Sequence, residues 1–287
     1  MNTQTIRRAH PRRLLPASVL VLLTLATLTA CSTRLTPTVA EVSGRDVELV
    51  ETGSGEATVV FESGWGNDWS AWDQVASEVS GHARVFAYSR PGYGRSDPTT
   101  EPRDGAHIVE DLRALLVARG YAPPYVLVGH SFGGTYLELF ARAHPEEVAA
   151  LVLVEPRPGD FSRACEHAAV TGCIVPRDVL RSRPPVEIAE YEAFGGISAQ
   201  LAATGGFGSY PVRVLTATSH GFSPAGEHLW VWMHAAIADA AEDGDQWLFE
   251  GAGHNLETDR AQDVTQIILS VLPADPVVPA VPATAGI

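Results

Sequence analysis

The feature that most constrains the fold of this chain is a glycine-rich turn between a short apolar strand and a helix. The strand is YVLV, the turn is GHSFGG at residues 129–134, and apolar residues at helical spacing continue to Ala143. Small residues must flank Ser131 in such a turn, because neighbouring backbone comes very close. The pattern predicts that the Ser131 hydroxyl stands above a sheet, at the N-terminus of a helix.

Elsewhere, short apolar strands alternate with helices of about 10–15 residues. Strands are expected at 45–52, 57–62, 84–88, 125–128, 150–154, 212–216 and 246–250, and helices at 69–79, 108–119, 132–143, 226–241 and 261–272. Such alternation predicts one α/β domain over residues 41–272, with a mostly parallel sheet flanked by helices. The alternation fails at about residues 156–210, which are rich in Pro, Gly and Arg and are expected to form an inserted lid.

Composition excludes some classes of function. The chain has 20 basic and 34 acidic residues, a formal net charge of −14, and every basic residue is arginine. An acidic chain without a basic stripe repels phosphate backbones, so nucleic acid is not an expected partner. A hydrophobic content of 45% also argues against a disordered protein.

The N-terminus predicts export. A basic segment precedes an apolar run at residues 14–28, which is shorter than the roughly 20 residues of a membrane span. The ending Leu-Thr-Ala-Cys31 resembles the bacterial lipobox. This resemblance implies a signal peptide at residues 1–30, lipidation of Cys31 and anchoring to a membrane of the bacterial cell envelope. The alternatives are an ordinary signal cleaved nearby or a start site placed too early. Residues 31–40 are expected to be a tether, and residues 273–287 a flexible Pro-rich tail.

The remaining cysteines, Cys165 and Cys173, are close in sequence. In an oxidising envelope they are expected to form a disulfide that closes a small loop. Two free thiols or half of a metal site are the alternatives. No cluster of His and Cys with zinc spacing surrounds them, so no metal is expected.

A serine needs a base to become a good nucleophile. Near the C-terminus, the strand QWLFE runs into GAGHNLETD, which places His254 on the loop after the last strand. From there the imidazole can reach back over the sheet to Ser131. The backbone amides of Phe132, directly after Ser131, and of Trp65, in the loop after the strand TVVFE, are candidate oxyanion donors.

Several segments together resemble the α/β-hydrolase-fold serine hydrolases of the esterase and lipase type. They are ESGWG, SRPGYGRSD, VGHSFGG, LVLVEP and EGAGHNLETD, and the similarity covers Thr58 to about Asp160 and Val212 to Val271. The resemblance implies a nucleophile at Ser131, a general base at His254 and oxyanion donors at the Trp65 and Phe132 amides. It implies neither a metal nor an organic cofactor.

The third member of the expected triad departs from the family pattern. The usual acid follows the strand before the last, but residues 217–221 contain no carboxylate. Some relatives place the acid after the preceding strand, which here is Glu155. Asp160 is the alternative acid, and Glu227 is less favoured. Glu155 could instead be a structural carboxylate paired with Arg157 or an arginine of the lid.

The sequence therefore predicts a serine hydrolase that cleaves small-molecule carboxylic esters through an acyl-enzyme. An amide or peptide hydrolase with the same triad, a cofactor-free lyase or acyltransferase, and a non-catalytic binding lipoprotein are the alternatives. His130 is expected to pack beside the turn, and His220 could line the substrate pocket.

Overall fold

The computed structural model describes residues 6–8, as backbone alone, and residues 34–273. The predicted lipidation site Cys31 lies outside the described residues, as do most of the predicted signal peptide and residues 274–287 of the predicted tail. Within the described part, no helix combines the length and the apolar character needed to cross a membrane.

Nine strands of the described residues form one sheet, in the order β1-β9-β8-β7-β6-β4-β5-β3-β2. The strands are β1 (Ile6–Arg8), β2 (Thr38–Val42), β3 (Arg45–Thr52), β4 (Thr58–Glu62), β5 (Arg84–Tyr88), β6 (Tyr125–His130), β7 (Val148–Val154), β8 (Pro211–Ala217) and β9 (Asp243–Phe249). Six neighbouring strands of this sheet pair in parallel: β5, β4, β6, β7, β8 and β9. The pairs β1–β9, β2–β3 and β3–β5 are antiparallel.

Helices cover both faces of the sheet. They are α1 (Asp73–Val79), α2 (Gly105–Ala118), α3 (Phe132–Ala143), α4 (Phe161–His167), α5 (Arg177–Arg181), α6 (Pro185–Phe194), α7 (Ile197–Ala202), α8 (Pro224–Asp239), α9 (Leu256–Asp259) and α10 (Ala261–Ser270), with 3-10 turns at Trp69–Trp72 and Pro145–Glu147. All residues of β4 and β6 are buried, as expected for parallel strands with both faces covered. One apolar cluster joins the sheet to α2 and α3, and another joins it to α1 and α10.

The α/β architecture and the mostly parallel sheet confirm the fold predicted from the sequence. Residues 156–210 contain α4 to α7 and connect β7 to β8, so they are called the insertion below. Cys165 and Cys173, both in the insertion, form a disulfide bond with each other, as expected from the sequence.

Two N-terminal segments differ from the sequence prediction. The sequence predicts a tether that ends at residue 40, but β2 begins at Thr38 and pairs with β3. Its burial is mostly low, which is why its residues resemble a polar connection. Within the segment predicted to be a signal peptide, the backbone of residues 6–8 pairs with β9, and export itself stays a prediction.

Candidate active site

Ser131 occupies a strained turn between β6 and α3. Its backbone has φ 54° and ψ −120°, a left-handed φ that is costly for a residue with a side chain. The turn is compact, because a Cβ on Gly133 would lie 2.4 Å from the Ser63 carbonyl oxygen. Only glycine fits at residue 133, which explains the small residues in the motif. The turn places the Ser131 hydroxyl at the N-terminus of α3, above the C-terminal ends of the parallel strands.

Three predicted site residues form a continuous hydrogen-bonded chain. The Oγ of Ser131 lies 3.0 Å from Nε2 of His254, and Nδ1 of His254 lies 3.0 Å from Oε2 of Glu155. Ser131 follows β6, Glu155 follows the adjacent β7, and His254 lies on the loop after β9. The arrangement can move a proton from the serine to the imidazole while the carboxylate orients the ring.

Glu155 is fully buried and held by four hydrogen-bond donors. Its Oε1 accepts from the Ala217 amide at 2.6 Å and from Nε1 of Trp230 at 3.2 Å, and its Oε2 contacts His220 and His254. Burial alone would raise the pKa of Glu155, but the hydrogen bonds from His220 and His254 outweigh it and lower the pKa well below its usual range. The carboxylate is therefore ionised and fixed in place at neutral pH.

A second histidine, His220, contacts the same carboxylate. Its Nε2 lies 2.6 Å from Oε2 of Glu155, and its Nδ1 lies 2.7 Å from Oε2 of Glu227. Both ring nitrogens face carboxylate oxygens, so hydrogen-bond chemistry requires both to donate, which makes the ring a cation. Burial opposes protonation, yet the hydrogen bonds with Glu155 and Glu227 raise the pKa of His220.

Glu155, His220 and His254 also bring potential metal-ligating atoms within 4.8 Å of one another. Their direct contacts of 2.6 and 3.0 Å are hydrogen bonds between the side chains themselves. The three side chains thus satisfy one another by hydrogen bonding, and no step of the chemistry below needs a metal.

His130 supports the backbone of the loop that carries His254. It is buried, and burial together with the nearby His254 lowers its pKa to about 3, so the ring is neutral. Its Nε2–H donates to the backbone carbonyl of His254 over 3.0 Å. This packing role agrees with the expectation from the sequence.

The two predicted oxyanion donors belong to segments that adjoin Ser131. Phe132 is the first residue of α3, and Trp65 follows β4, with the two aromatic rings stacked 6.0 Å apart. Close approach of the Trp65 loop depends on Gly64, where a Cβ would lie 3.3 Å from Cβ of Ser131. The indole Nε1 of Trp65 donates to the Glu187 carbonyl, which ties this loop to the insertion.

A cavity of about 490 Å³ opens over Ser131 and His254. This volume suits a small molecule. Trp65, Phe132 and Tyr191 contribute aromatic walls, and Arg157 contributes the one arginine among the lining residues.

Not every sequence-based candidate joins the site. Asp160 is the N-cap residue of α4, and its partly exposed carboxylate pairs with Arg163 at 2.6 Å, away from His254. Glu155 does not pair with Arg157, so the structural alternative for Glu155 is not observed. Glu227 contacts His220 rather than His254. Sequence reasoning missed the His220–Glu155 contact, although the position of His220 after β8, beside β7, was a usable signal.

Comparisons with known proteins agree with this architecture. A family model described as the alpha/beta hydrolase fold matches residues 57–170. The Bacillus subtilis protein YqjL is 25% identical over 222 residues, covering 76% of this chain and 85% of YqjL. A pimeloyl-[acyl-carrier protein] methyl ester esterase from Salmonella heidelberg is 33% identical over 106 residues, which are 37% of this chain and 39% of the esterase.

Solved structures extend the likeness over most of the chain. The epoxide hydrolase VrEH1 from Vigna radiata aligns with a TM-score of 0.61 and a sequence identity of 17%. The alignment covers 83% of this chain and 97% of that protein. Identity this low speaks to architecture alone. The chain has the α/β-hydrolase fold; it is similar in shape to the epoxide hydrolase and, over part of its sequence, to the esterase.

Proposed function

We propose that this protein is a serine hydrolase that cleaves carboxylic esters of small molecules through an acyl-enzyme. The observation that carries the proposal is the chain Ser131–His254–Glu155, with both hydrogen bonds at 3.0 Å. The partial match to a methyl ester esterase supports ester cleavage as the first reaction to test.

The proposed reaction begins when Ser131 Oγ attacks the ester carbonyl carbon and Nε2 of His254 takes the hydroxyl proton. The negative charge that develops on the carbonyl oxygen is stabilised by the backbone amides of Phe132 and Trp65. Collapse of this intermediate breaks the bond to the leaving oxygen, which receives the proton from His254. The acyl group remains on Ser131.

Hydrolysis of the acyl-enzyme repeats these steps with water as the nucleophile. His254 takes a proton from water, hydroxide adds to the acyl carbon, and Ser131 leaves with the proton returned by the imidazole. Glu155 holds the His254 tautomer whose Nε2 can accept a proton and stabilises the imidazolium in each half of the reaction.

The proposal is tested by release of p-nitrophenol from short-chain p-nitrophenyl esters, with p-nitroanilides of the same acyl groups alongside. Wild type should hydrolyse the esters, and Ser131→Ala and His254→Ala should each lower kcat on the order of 10⁴- to 10⁶-fold. Anilide turnover matching ester turnover would instead favour an amide hydrolase. A folded wild type that hydrolyses neither would contradict a catalytic role and favour a binding protein.

We also propose that the protein is exported and anchored through a lipid on Cys31. The support is the basic segment, the apolar run and the ending Leu-Thr-Ala-Cys in the sequence, together with a cysteine pair suited to an oxidising compartment. The test is fatty-acid labelling of the full chain in a bacterial host. Wild type should carry the label in the membrane fraction, and Cys31→Ser should lose it. An unlabelled wild type would contradict lipidation.

A further inference from the structure

Arg157 is a cationic side chain in the wall of the catalytic cavity. Its backbone amide donates to the Ser131 carbonyl at 3.0 Å, so the residue is attached directly to the nucleophile turn. Its side chain is partly buried and lines both the 490 Å³ cavity and an adjoining one of about 300 Å³. Any substrate that reaches Ser131 therefore shares a cavity with this arginine.

The charge of Arg157 is not matched by a carboxylate. Among residues 34–273, no acidic side chain lies within hydrogen-bonding or ion-pair distance of its guanidinium. The described hydrogen bonds come from Nη2 and go to neutral oxygens, Oγ of Ser162 at 2.8 Å and the Cys173 carbonyl at 3.2 Å. The guanidinium carbon also lies 5.3 Å from the centre of the Phe161 ring.

Arg90 shows how this chain treats an arginine that serves structure. Arg90 is buried and bonded to two carboxylates, Glu62 at 2.5 Å and Glu190 at 2.8 Å. Burial opposes its charge, but those carboxylates raise the pKa of Arg90. Burial instead lowers the pKa of Arg157, and the described contacts do not reverse the shift. A partly desolvated charge that no carboxylate of the described residues neutralises is costly, so its position beside Ser131 indicates an anionic ligand.

We propose, resting on the function proposed above, that the substrate is an ester carrying a carboxylate and that Arg157 binds this carboxylate. The cavity favours a single negative charge, since Arg157 is its one arginine, the His130 ring is neutral, and the charge of His220 is already bonded to two carboxylates. A planar guanidinium matches the geometry of a carboxylate. Arg157 is thus a specificity-determining residue for an anionic substrate.

The carboxylate could lie on the acyl group or on the leaving group, so two matched substrate pairs are needed. The first pair is the mono-p-nitrophenyl ester of adipic acid and the same ester with a terminal carboxamide. The second pair is 4-acetoxybenzoate and 4-acetoxybenzamide. Within a pair, size and hydrogen-bonding capacity are similar and charge differs. The ratio of kcat/KM values, carboxylate over carboxamide, is the quantity measured.

For wild type, the carboxylate member of at least one pair should be preferred about 10- to 100-fold, the range expected for hydrogen bonds to a charged group. Arg157→Gln should reduce that ratio to about 1 while retaining turnover of the neutral member. Arg157→Lys keeps the positive charge but loses the planar guanidinium that can donate two parallel hydrogen bonds, so part of the preference should remain. Arg181→Gln, at an exposed arginine of the insertion, is the matched control and should leave the ratio unchanged.

Two results would overturn this inference while leaving the proposed function intact. One is Ser131-dependent turnover of the neutral esters with no preference for the carboxylate in either pair. The other is an equal loss of both members in Arg157→Gln, which would mean that Arg157 only holds the insertion in place. If wild type turned over none of the four substrates and Ser131 did not react with a fluorophosphonate, the inference would fall together with the proposed function.

Discussion

Replacement of His220 with glutamine should move the acidic limb of the pH dependence of kcat/KM to higher pH. The His220 ring donates to both Glu155 and Glu227, which makes it a cation near the His254 imidazole. A cation there disfavours a second positive charge on His254. Without His220 this repulsion is absent, so the acidic limb of the kcat/KM profile should lie at higher pH.

The structure allows the size of this shift to be worked out. The ring centres of His220 and His254 are 6.1 Å apart. At an effective dielectric constant of about 20, two unit charges at this separation repel by about 3 kcal/mol, equivalent to about 2 pH units. The His254 side chain is 37% exposed, so water screens part of this repulsion. We therefore expect a shift of about one pH unit.

The assay is the pH profile of kcat/KM for a neutral ester, which reports groups of the free enzyme. The charged or titratable groups around His220 are Glu155, Glu227, His234 and His254. Burial lowers the pKa of His234 to about 4, which leaves that ring neutral over the range tested.

Two further variants sharpen the comparison. Glu227→Gln removes a negative charge and leaves the His220 ring bonded to Glu155, so it should move the limb to higher pH by less than His220→Gln does. His228→Gln changes an exposed histidine of α8 and should not shift it. A His220→Gln profile that coincides with wild type, or moves to lower pH, would refute the assignment of a positive charge to His220.

Further predictions concern the carboxylates and the loop beside the nucleophile. Glu155→Gln should lower kcat on the order of 10⁴-fold with an ester substrate, because it removes the charge that orients His254, whereas Asp160→Asn should stay within a few-fold of wild type. Burial raises the pKa of Glu257 to about 8, so the protonated side chain contributes stability that is lost as the pH rises through about 8. Glu257→Gln should therefore gain stability over wild type between pH 5 and 8, by up to about 1.4 kcal/mol per pH unit in denaturant unfolding, and a constant difference would contradict this. Gly64→Ala should lower both kcat and stability, since its Cβ would lie 2.8 Å from Nδ1 of the buried His130; unchanged kinetics would refute the close approach.

Much of the fold is predictable because the central strands are short apolar segments between well-marked helices. The bounds of β3, β5 and α3 agree with those expected from the sequence. The peripheral β2 is different, because a strand at the edge of the sheet buries little and lacks the apolar signal. Likewise, the four helices of the insertion are only 5 to 10 residues long, too short for a clear apolar periodicity in the sequence.

The candidate site is partly predictable for a related reason. Ser131, Glu155 and His254 each follow a parallel strand, and the C-terminal ends of such strands meet at one side of a sheet. The direction of a side chain within a loop is set by tertiary contacts, which is why the contact of His220 with Glu155 was missed. Likewise, the lack of a carboxylate beside Arg157 among the described residues can be recognised only once the surrounding side chains are placed.

The central claim is that Ser131 is an activated nucleophile. The most direct test is to treat the folded protein with a fluorophosphonate and to locate the adduct by mass spectrometry. The account predicts one adduct, on Ser131, that is absent from Ser131→Ala and forms much more slowly in His254→Ala. A folded wild type that remains unlabelled, or an adduct on another residue, would contradict the claim.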